Sequence, residues 1–344
     1  MFYDILKRFK GAFYMKHFKR NAGIFILLIC MVFSAFVGCA SSPETEGDIS
    51  SSEWMKDVSG ETKLSSISIP GTHDTCTNHV GMSYIFQCQD TDVATQLKNG
   101  YRYLDMRLAL SGKGDKQTLI LKHSFSKCKK TGSLFSRALT LNDVLADVYS
   151  FLEEHPTETV IMCMKAENGK DDVATVQKIL YDAIGKNEDV WYLSNKIPTL
   201  DEVRGKIVLA TRFEDKMNVG DSKSGMHFYW DDQGDRTVVD VPYAESSVND
   251  TETLFVQDRY NYAIPDKINA ITKSFEGCQA SDESFFLNFT STSGSGIVGH
   301  PKKYAKSINA YLNSYDWKAN TCYGIVIVDF ATRDIAENIY KTNY

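Results

Sequence analysis

The sequence lacks several features that would each indicate a class of protein. No two of its eight cysteines form a Cys-x-x-Cys pair, so a structural zinc site is not expected. No Gly-rich nucleotide-binding turn follows any strand-like run, and no internal repeat is present. Basic charge is not in excess either, since 38 Lys and Arg stand against 44 Asp and Glu. Zinc-ribbon, dinucleotide-binding and repeat architectures are therefore disfavoured.

A long apolar run occurs once, near the N-terminus. Residues 1–20 carry six basic residues and one acidic residue, and residues 23–38 ("GIFILLICMVFSAFVG") carry no charge. The run is short for a membrane-spanning helix, which needs roughly 20 apolar residues, and this order is typical of an export signal. The following "AFVGCASS" resembles a bacterial lipoprotein box with Cys39 as the lipidated residue, although Phe36 stands where Leu is usual. The alternatives are ordinary secretion or an uncleaved anchor.

The residues after this run divide into a short linker and one domain. Residues 39–53 are rich in Ser and acids and are predicted to be a flexible linker. Residues 54–344 show no second linker and are predicted to be one catalytic domain. Without residues 1–38 the net charge falls from −6 to about −11. An acidic domain argues against nucleic acid as a partner.

Export permits disulfides among the six later cysteines, but their pairing does not follow from the sequence. Cys163, in an apolar run, is predicted to be a buried thiol.

Short runs rich in β-branched and aromatic residues alternate with helical patterns along the domain. The eight runs are ISIPG, YRYLDMRL, TLILKH, TVIMCMK, KIVLATR, LFVQD, FFLNFT and YGIVIVDF. Residues 141–152 have apolar residues at helical spacing behind Thr140, a predicted N-cap, and residues 173–180 have a similar stripe that Gly185 ends. Strands alternating with helices predict an irregular (β/α)8 TIM-type barrel, with an open doubly wound sheet as the alternative.

Nearly every strand-like run ends in a polar residue. The polar ends are His73 and Asp74, Asp105 and Arg107, His123, Lys165, Arg212, Asp258 and Tyr260, Thr290, and Asp329. Barrel enzymes hold their catalytic groups at the C-terminal ends of strands, so we expect these side chains to meet at one mouth.

Two histidines near carboxylates suit general base and general acid catalysis, because imidazole titrates near neutrality. An arginine between them suits a phosphoryl group, because its fork matches two phosphate oxygens. Together they predict attack on a phosphodiester by a neighbouring hydroxyl.

Eight motifs in order resemble the X-type catalytic barrel of bacterial phosphatidylinositol-specific phospholipase C. They are SIPGTHD, LDMRL, LILKH, TVIMCMK, GKIVLATRF, FVQDRY, LNFTS and VIVDF, and the likeness runs from about residue 51 to the C-terminus. The resemblance implies a lyase that cleaves phosphatidylinositol, or glycosyl-phosphatidylinositol anchors, to diacylglycerol and inositol 1,2-cyclic phosphate.

The resemblance also implies catalytic roles. His73 would be the general base, oriented by Asp329, and would take the proton of the inositol 2-hydroxyl. His123 would be the general acid, assisted by Asp74, and Arg107 would stabilise charge on the phosphate.

Substrate-binding residues follow from the same motifs. Lys165, Arg212, Asp258 and Tyr260 would bind the inositol ring, and Asp105 would hold the neighbouring arginine.

No metal or other cofactor is expected. Eukaryotic members bind calcium at the corresponding strand ends, where this chain has Asp74 and Arg107. A guanidinium repels a cation and can replace its charge.

The expected partners are the inositol lipid and a membrane surface, the expected state is a monomer, and the expected location is the cell surface through Cys39, or secretion. Met82, Tyr84, Ile85 and Phe86 in "HVGMSYIFQ" are candidates for bilayer contact, and packing against the barrel is the alternative. Residues 297 and 298 would form an opposite rim.

Two other functions remain open. A metal-dependent glycerophosphodiesterase would need an acidic cluster, which Arg107 opposes. A non-catalytic module that binds inositol glycans would not need both histidines.

Overall fold

The computed structural model describes residues 49–235, 242–294 and 299–344. The predicted signal peptide, Cys39, most of the predicted linker, and residues 297 and 298 lie outside the described residues. Residues from Ile49 onward form a compact unit of their own. Ser51 is buried in this unit and its carbonyl accepts a hydrogen bond from Arg102, so folded structure begins before the predicted domain start at residue 54.

One branched sheet organises the described residues. Its strands are β1 (Ile69–Thr72), β2 (Tyr103–Ser111), β3 (Thr118–His123), β4 (Ser126–Lys127), β5 (Val160–Ala166), β6 (Trp191–Tyr192), β7 (Ile207–Thr211), β8 (Met226–His227), β9 (Ala244–Ser247), β10 (Thr253–Gln257), β11 (Ser284–Phe289) and β12 (Ile325–Val328). The main path runs β6-β7-β5-β2-β1-β12-β11-β10-β9, with β3 paired to β2 and β8 to β7. The sheet curls into an irregular barrel, as predicted.

The pairs from β7 through β1 and β12 to β10 are parallel, so their C-terminal ends share one side, which we call the mouth. The opposite, N-terminal side is called the base. Antiparallel β9 borders β10, and within the described residues no ladder joins β9 or β10 to β7 or β8. As far as the described residues go, the barrel is therefore open on that side.

The direction of β3 differs from the prediction. The run TLILKH was expected as a parallel barrel strand, but it runs antiparallel to β2, with Leu108 opposite Leu121 and Ser111 opposite Thr118. Strand β2 extends beyond the mouth, and β3 returns along it. Continuing this register places His123 beside Met106, next to Arg107. The histidine therefore reaches the mouth from outside the barrel.

The α-helices are α1 (Ser83–Phe86), α2 (Val93–Lys98), α3 (Leu141–Glu154), α4 (Val173–Ile184), α5 (Leu200–Val203), α6 (Ile264–Gly277), α7 (Pro301–Ser314) and α8 (Arg333–Tyr340). Short 3-10 helices occur at Trp54–Asp57, Leu64–Ser66, Gly114–Lys116, Glu188–Val190 and Lys341–Asn343.

The predicted helix ends are confirmed for α3 and α4. Thr140 caps α3 in a capping box with Asp143, and Gly185 ends α4. Capping satisfies backbone N–H groups that have no partner within the helix.

Alternation along the parallel strands decides which side chains reach the interior. On β2, Leu104, Met106 and Leu108 pack outward with α3, whereas Asp105 and Arg107 point to the other face. Strand β5 repeats this pattern: Met162 and Met164 face the helices. Cys163 is buried, as predicted, and Lys165 follows it on the inner face towards the mouth. The apolar interior is thus filled below a polar mouth.

None of the described helices is long and apolar enough to cross a bilayer.

Candidate active site

The turn after β1 places two titratable side chains at the mouth. The backbone N–H of His73 donates to the carbonyl of Val328 at 3.0 Å, which continues the pairing with β12. Asp74 then adopts φ of +43°, a left-handed conformation that Asp tolerates better than most residues. Its N–H donates to Oδ2 of Asp105 at 3.1 Å. This strained turn is held by contacts to both neighbouring strands.

His73 lies between two carboxylates. Its Nδ1 is 2.7 Å from Oδ1 of Asp329, and its Nε2 is 3.2 Å from Oδ2 of Asp74. Burial disfavours the charged ring, but Asp329 and Asp74 outweigh it and raise the pKa of His73 to about 9. The free site therefore holds His73 mainly as imidazolium at neutral pH.

His123 enters from β3 with a defined tautomer. Its Nδ1 is 2.8 Å from the carbonyl oxygen of Phe86, which can only accept, so Nδ1 carries a proton. Its Nε2 faces Oδ2 of Asp74 at 3.5 Å. The imidazole rings of His73 and His123 are 6.4 Å apart between centroids. A proton on Nε2 of His123 makes the ring cationic and available as an acid.

Asp74 serves both histidines through one oxygen atom. The side chain is almost fully buried, and burial by itself raises a carboxyl pKa, but Arg107, His123 and His73 hold the pKa of Asp74 below its usual value. Its second oxygen, Oδ1, is 3.7 Å from Nε of Arg107 and has no hydrogen-bond partner among the described residues. The carboxylate thus stays ionised between the two imidazoles.

Arg107 is held in place by the carboxylate of Asp105, two residues earlier on β2. Its Nε and Nη2 donate to the two oxygens of Asp105 at 2.9 and 2.6 Å. Burial opposes the charge of Arg107, but Asp105, Asp74 and Glu167 raise its pKa further above the usual value. Asp105 itself is buried beneath the arginine, and despite that burial Arg107 lowers the pKa of Asp105. A permanent, oriented cation results.

Glu167 joins this group and was missed by the sequence analysis. It follows β5, and its Oε2 lies 3.3 Å from Nη1 of Arg107 and 3.3 Å from Nζ of Lys165. Its Oε1 accepts from the backbone N–H of Ser124 at 2.8 Å, beside His123. Lys165 and Glu167 are two residues apart, so strand alternation was a usable indication that they share a face.

Most of these side chains line a mouth cavity of about 410 Å³. It contains the predicted residues His73, Asp74, Arg107, His123, Lys165, Arg212, Asp258, Tyr260 and Asp329. Asp105 and Thr290 are the exceptions: Asp105 lies below the floor under Arg107, and Thr290 is buried with its hydroxyl donating to the carbonyl of Ile327. The structure therefore brings the predicted residues of the mouth together, while their roles stay predictions.

An aromatic wall completes the cavity. The guanidinium of Arg212 stacks on the ring of Trp230 at 3.4 Å, and Nε1 of Trp230 donates to Oδ2 of Asp258 at 3.1 Å. Tyr260 donates to Asp232, and this bond together with partial burial raises the pKa of Tyr260 to about 12. Trp230 therefore both packs against Arg212 and lines the cavity.

One group of described residues has metal-ligand chemistry. Ligand atoms of His73, Asp74 and Cys88 lie within 4.8 Å of one another. The charge of Arg107 adjoins the same Asp74 oxygens, and His73 carries a proton that a metal would have to displace. The donor set therefore fits a cation poorly.

Sequence and structure comparisons agree on a family. The family model "Phosphatidylinositol-specific phospholipase C, X domain" matches residues 63–213. A 1-phosphatidylinositol phosphodiesterase of Listeria monocytogenes is 27% identical over 345 residues, which cover 92% of this chain and 96% of that protein.

Two solved structures are also similar. The Listeria monocytogenes phosphatidylinositol-specific phospholipase C has a TM-score of 0.65 and 26% identity, covering 86% of this chain and 100% of that one. A structure of the Staphylococcus aureus enzyme has a TM-score of 0.71 and 25% identity, covering 86% of this chain and 98% of that one. Taken with the paired histidines at the mouth, these matches show that residues 63–213 match the X-domain model and that the chain is similar over most of its length to bacterial phosphatidylinositol-specific phospholipases C.

Proposed function

We propose that this chain is a metal-independent lyase that cleaves phosphatidylinositol to diacylglycerol and inositol 1,2-cyclic phosphate. The observation that carries the proposal is the shared carboxylate of Asp74, whose Oδ2 lies 3.2 Å from Nε2 of His73 and 3.5 Å from Nε2 of His123. One anion thus supports two imidazoles at one cavity, with Arg107 alongside. This arrangement suits a reaction that needs a base and an acid at once.

The first proton transfer is assigned to His73. Nδ1–H of His73 donates to Asp329, so Nε2 is the atom that takes the proton of the inositol 2-hydroxyl. The oxygen of that hydroxyl then forms a bond to phosphorus. Since the free ring is mainly protonated at neutral pH, only its neutral fraction initiates this step.

The second proton transfer is assigned to His123. As the bond from phosphorus to the glycerol oxygen breaks, Nε2–H of His123 protonates that oxygen and diacylglycerol leaves. No water is consumed, so the first product is a cyclic phosphodiester. Arg107, held by Asp105, offers N–H groups to the equatorial oxygens as charge builds on them.

The inositol ring is assigned to the part of the cavity around Lys165, Arg212, Asp258 and Tyr260. These side chains offer charged donors and acceptors suited to ring hydroxyls, and Trp230 fixes two of them by stacking and hydrogen bonding. The cavity is open to solvent on the side away from the barrel. A glycosylated inositol anchor is therefore a second candidate substrate.

We further infer that the domain acts at a membrane surface, as a monomer, after export. The basic and apolar residues 1–38 and the lipoprotein-like Cys39 support an anchored form, with a freely secreted form as the alternative.

The test is phosphorus NMR of the purified chain with phosphatidylinositol in detergent micelles and EDTA. We expect a cyclic inositol phosphate signal, and a rate lower by about 10²–10⁴ in His73→Ala. His155→Ala is the matched control, because His155 caps α3 at the base, far from the cavity.

Activity that requires added calcium would contradict the metal-independent mechanism. Release of a glycosylated anchor without cleavage of phosphatidylinositol would reassign the substrate.

A further inference from the structure

The exposed large apolar side chains of the described residues are not scattered. They are Met82, Tyr84, Phe125, Leu134, Phe135, Met217 and Tyr229. Each lies in a segment that follows a strand end at the mouth, and the described part of the base exposes none. An apolar distribution confined to one end of a soluble domain marks an interaction surface.

Three of these residues belong to a hairpin that follows the catalytic-site strand β3. We call residues Ser124–Ala138 the mouth hairpin; Lys129 pairs with Ala138 across it. Phe125 is 67% exposed, and Leu134 and Phe135 at the tip are 79% and 93% exposed. No described residue covers this tip.

The mouth hairpin is joined to the cavity by direct contacts. Its Lys129 N–H donates to the carbonyl of His79 at 2.7 Å, which anchors it beside the segment that carries Met82 and Tyr84. The ring of Phe125 packs on Phe86 at 4.8 Å, and Phe86 packs on His123 at 5.4 Å. Met82 before α1, Tyr84 within it and the exposed apolar residues of the hairpin thus adjoin the same edge of the cavity.

The charge of this region is opposite to that of the whole chain. Residues 118–142 contain five basic residues and no acidic one, although the chain carries a net charge of −6. Lys130 and Arg137 share the carboxylate of Asp143. Lys122, Lys127 and Lys129 make no ion pair with any described residue. Cations beside exposed apolar side chains are the pattern of an element that binds anionic lipid surfaces.

We propose that the mouth hairpin docks on bilayers that contain anionic lipids, with Leu134 and Phe135 inserted and Lys127 and Lys129 against lipid phosphates. The proposal rests on the proposed function, because docking at this edge presents the cavity to a lipid headgroup. Anionic lipid then sets the fraction of enzyme at the surface without any change at the catalytic residues.

Binding is measured separately from catalysis. Residues 49–344 are used, because they form a compact unit and the solved Listeria chain matches over its full length. Vesicles contain phosphatidylcholine with increasing phosphatidylglycerol and no inositol lipid, and bound protein is measured by sedimentation. Turnover is measured in parallel on a short-chain phosphatidylinositol dissolved as monomers.

The variants separate charge from insertion. Lys127→Gln/Lys129→Gln should weaken binding to anionic vesicles by roughly 25-fold, about fivefold for each lysine. The control is Lys56→Gln/Lys98→Gln, which removes two exposed lysines at the base. Leu134→Ser/Phe135→Ser should lower binding at every lipid composition. Phe135→Trp should bind at least as tightly, with a blue shift of its fluorescence.

Binding that rises with phosphatidylglycerol, falls with salt and drops in both hairpin variants, with unchanged turnover of the monomeric substrate, supports the proposal. Wild-type binding by the hairpin variants would overturn it and leave the tip as a surface for another macromolecule. An equal loss of vesicle binding in Lys56→Gln/Lys98→Gln would overturn it too, because the attraction to anionic lipid would then come from the overall charge and not from the mouth hairpin. Lack of turnover with intact docking would refute the proposed function alone.

Discussion

Two arginines five positions apart end up at opposite ends of the barrel. Arg102 and Glu158, at the base, are fully buried, and the guanidinium donates to that carboxylate and to carbonyls of four residues. Arg107, at the mouth, holds Asp105 equally tightly, yet its other contacts to Asp74 and Glu167 are 3.7 and 3.3 Å long.

We call Arg102 and Glu158 the base network, and Arg107 with Asp105, Asp74 and Glu167 the mouth network. The two networks differ in how many hydrogen-bonding groups they leave free for a ligand. The base network leaves nothing for a ligand, because both partners are enclosed and satisfied by one another and by the backbone. The mouth network keeps donors that face a cavity and an oxygen on Asp74 that no described residue pairs with. A buried ion pair by itself therefore says little about function; the atoms left without partners say more.

The largest expected effect is on stability and comes from breaking the base network. Arg102→Met leaves the buried carboxylate of Glu158 unpaired, so the free energy of unfolding should fall by about 3–5 kcal/mol. Urea denaturation measures it. Turnover by the protein that remains folded should be unchanged, because the cavity is at the other end.

The double variant Arg102→Met/Glu158→Leu should recover most of the loss, since no unpaired charge remains. A single variant as stable as wild type would show that the base network is not what holds the domain.

The next effect is on catalysis. Arg107→Lys keeps a charge but loses the fork, so kcat/KM on a monomeric substrate should fall by about 10²–10³ with little change in stability. Arg333→Lys, at an exposed position on α8, is the matched control. Equal activity in both would mean that the mouth arginine contributes only its charge.

A third prediction concerns pH. His73 must be neutral to act as base and its pKa is raised to about 9, so kcat/KM should rise with pH from neutrality towards 9. Asp329→Asn removes a carboxylate that stabilises the charged ring. The pKa of His73 then falls, and this acid limb should move to lower pH by about one to three units. If the acid limb of the kcat/KM profile stays at the same pH in Asp329→Asn, the pH dependence comes from a group other than His73.

The smallest expected effect tests the residue that connects the mouth network to β3. Glu167→Gln keeps the shape but removes the ion pairs to Arg107 and Lys165, so kcat/KM should fall by no more than about tenfold. Glu153→Gln on the exposed face of α3 is the control. A loss as large as that of the arginine variant would move Glu167 into the catalytic group.

Much of the site could be predicted because parallel strands place their C-terminal ends together. Once the runs ending in His73, Arg107, Lys165 and Asp329 are taken as parallel neighbours, their meeting follows from strand geometry. The helix that follows, α8, is capped by Thr332, so Asp329 keeps its carboxylate for His73.

The features of the site that could not be predicted from the sequence depend on contacts between distant segments. The sequence paired Asp74 with the acid, but only the folded turn shows its Oδ2 between both imidazoles. Trp230 reaches the cavity through its partners Arg212 and Asp258, which periodicity along one strand does not reveal.

The sequence by itself determined the alternation of strands and helices, the polar strand ends and the chemistry of the two histidines, because these depend on residue type and local period. Only the tertiary structure decided that β3 runs antiparallel and brings His123 to the mouth from outside. The direction of a strand is not a property of its own residues. It is set by the hydrogen bonds of its neighbour and by the short turn that joins them, which here is too short for a parallel crossover.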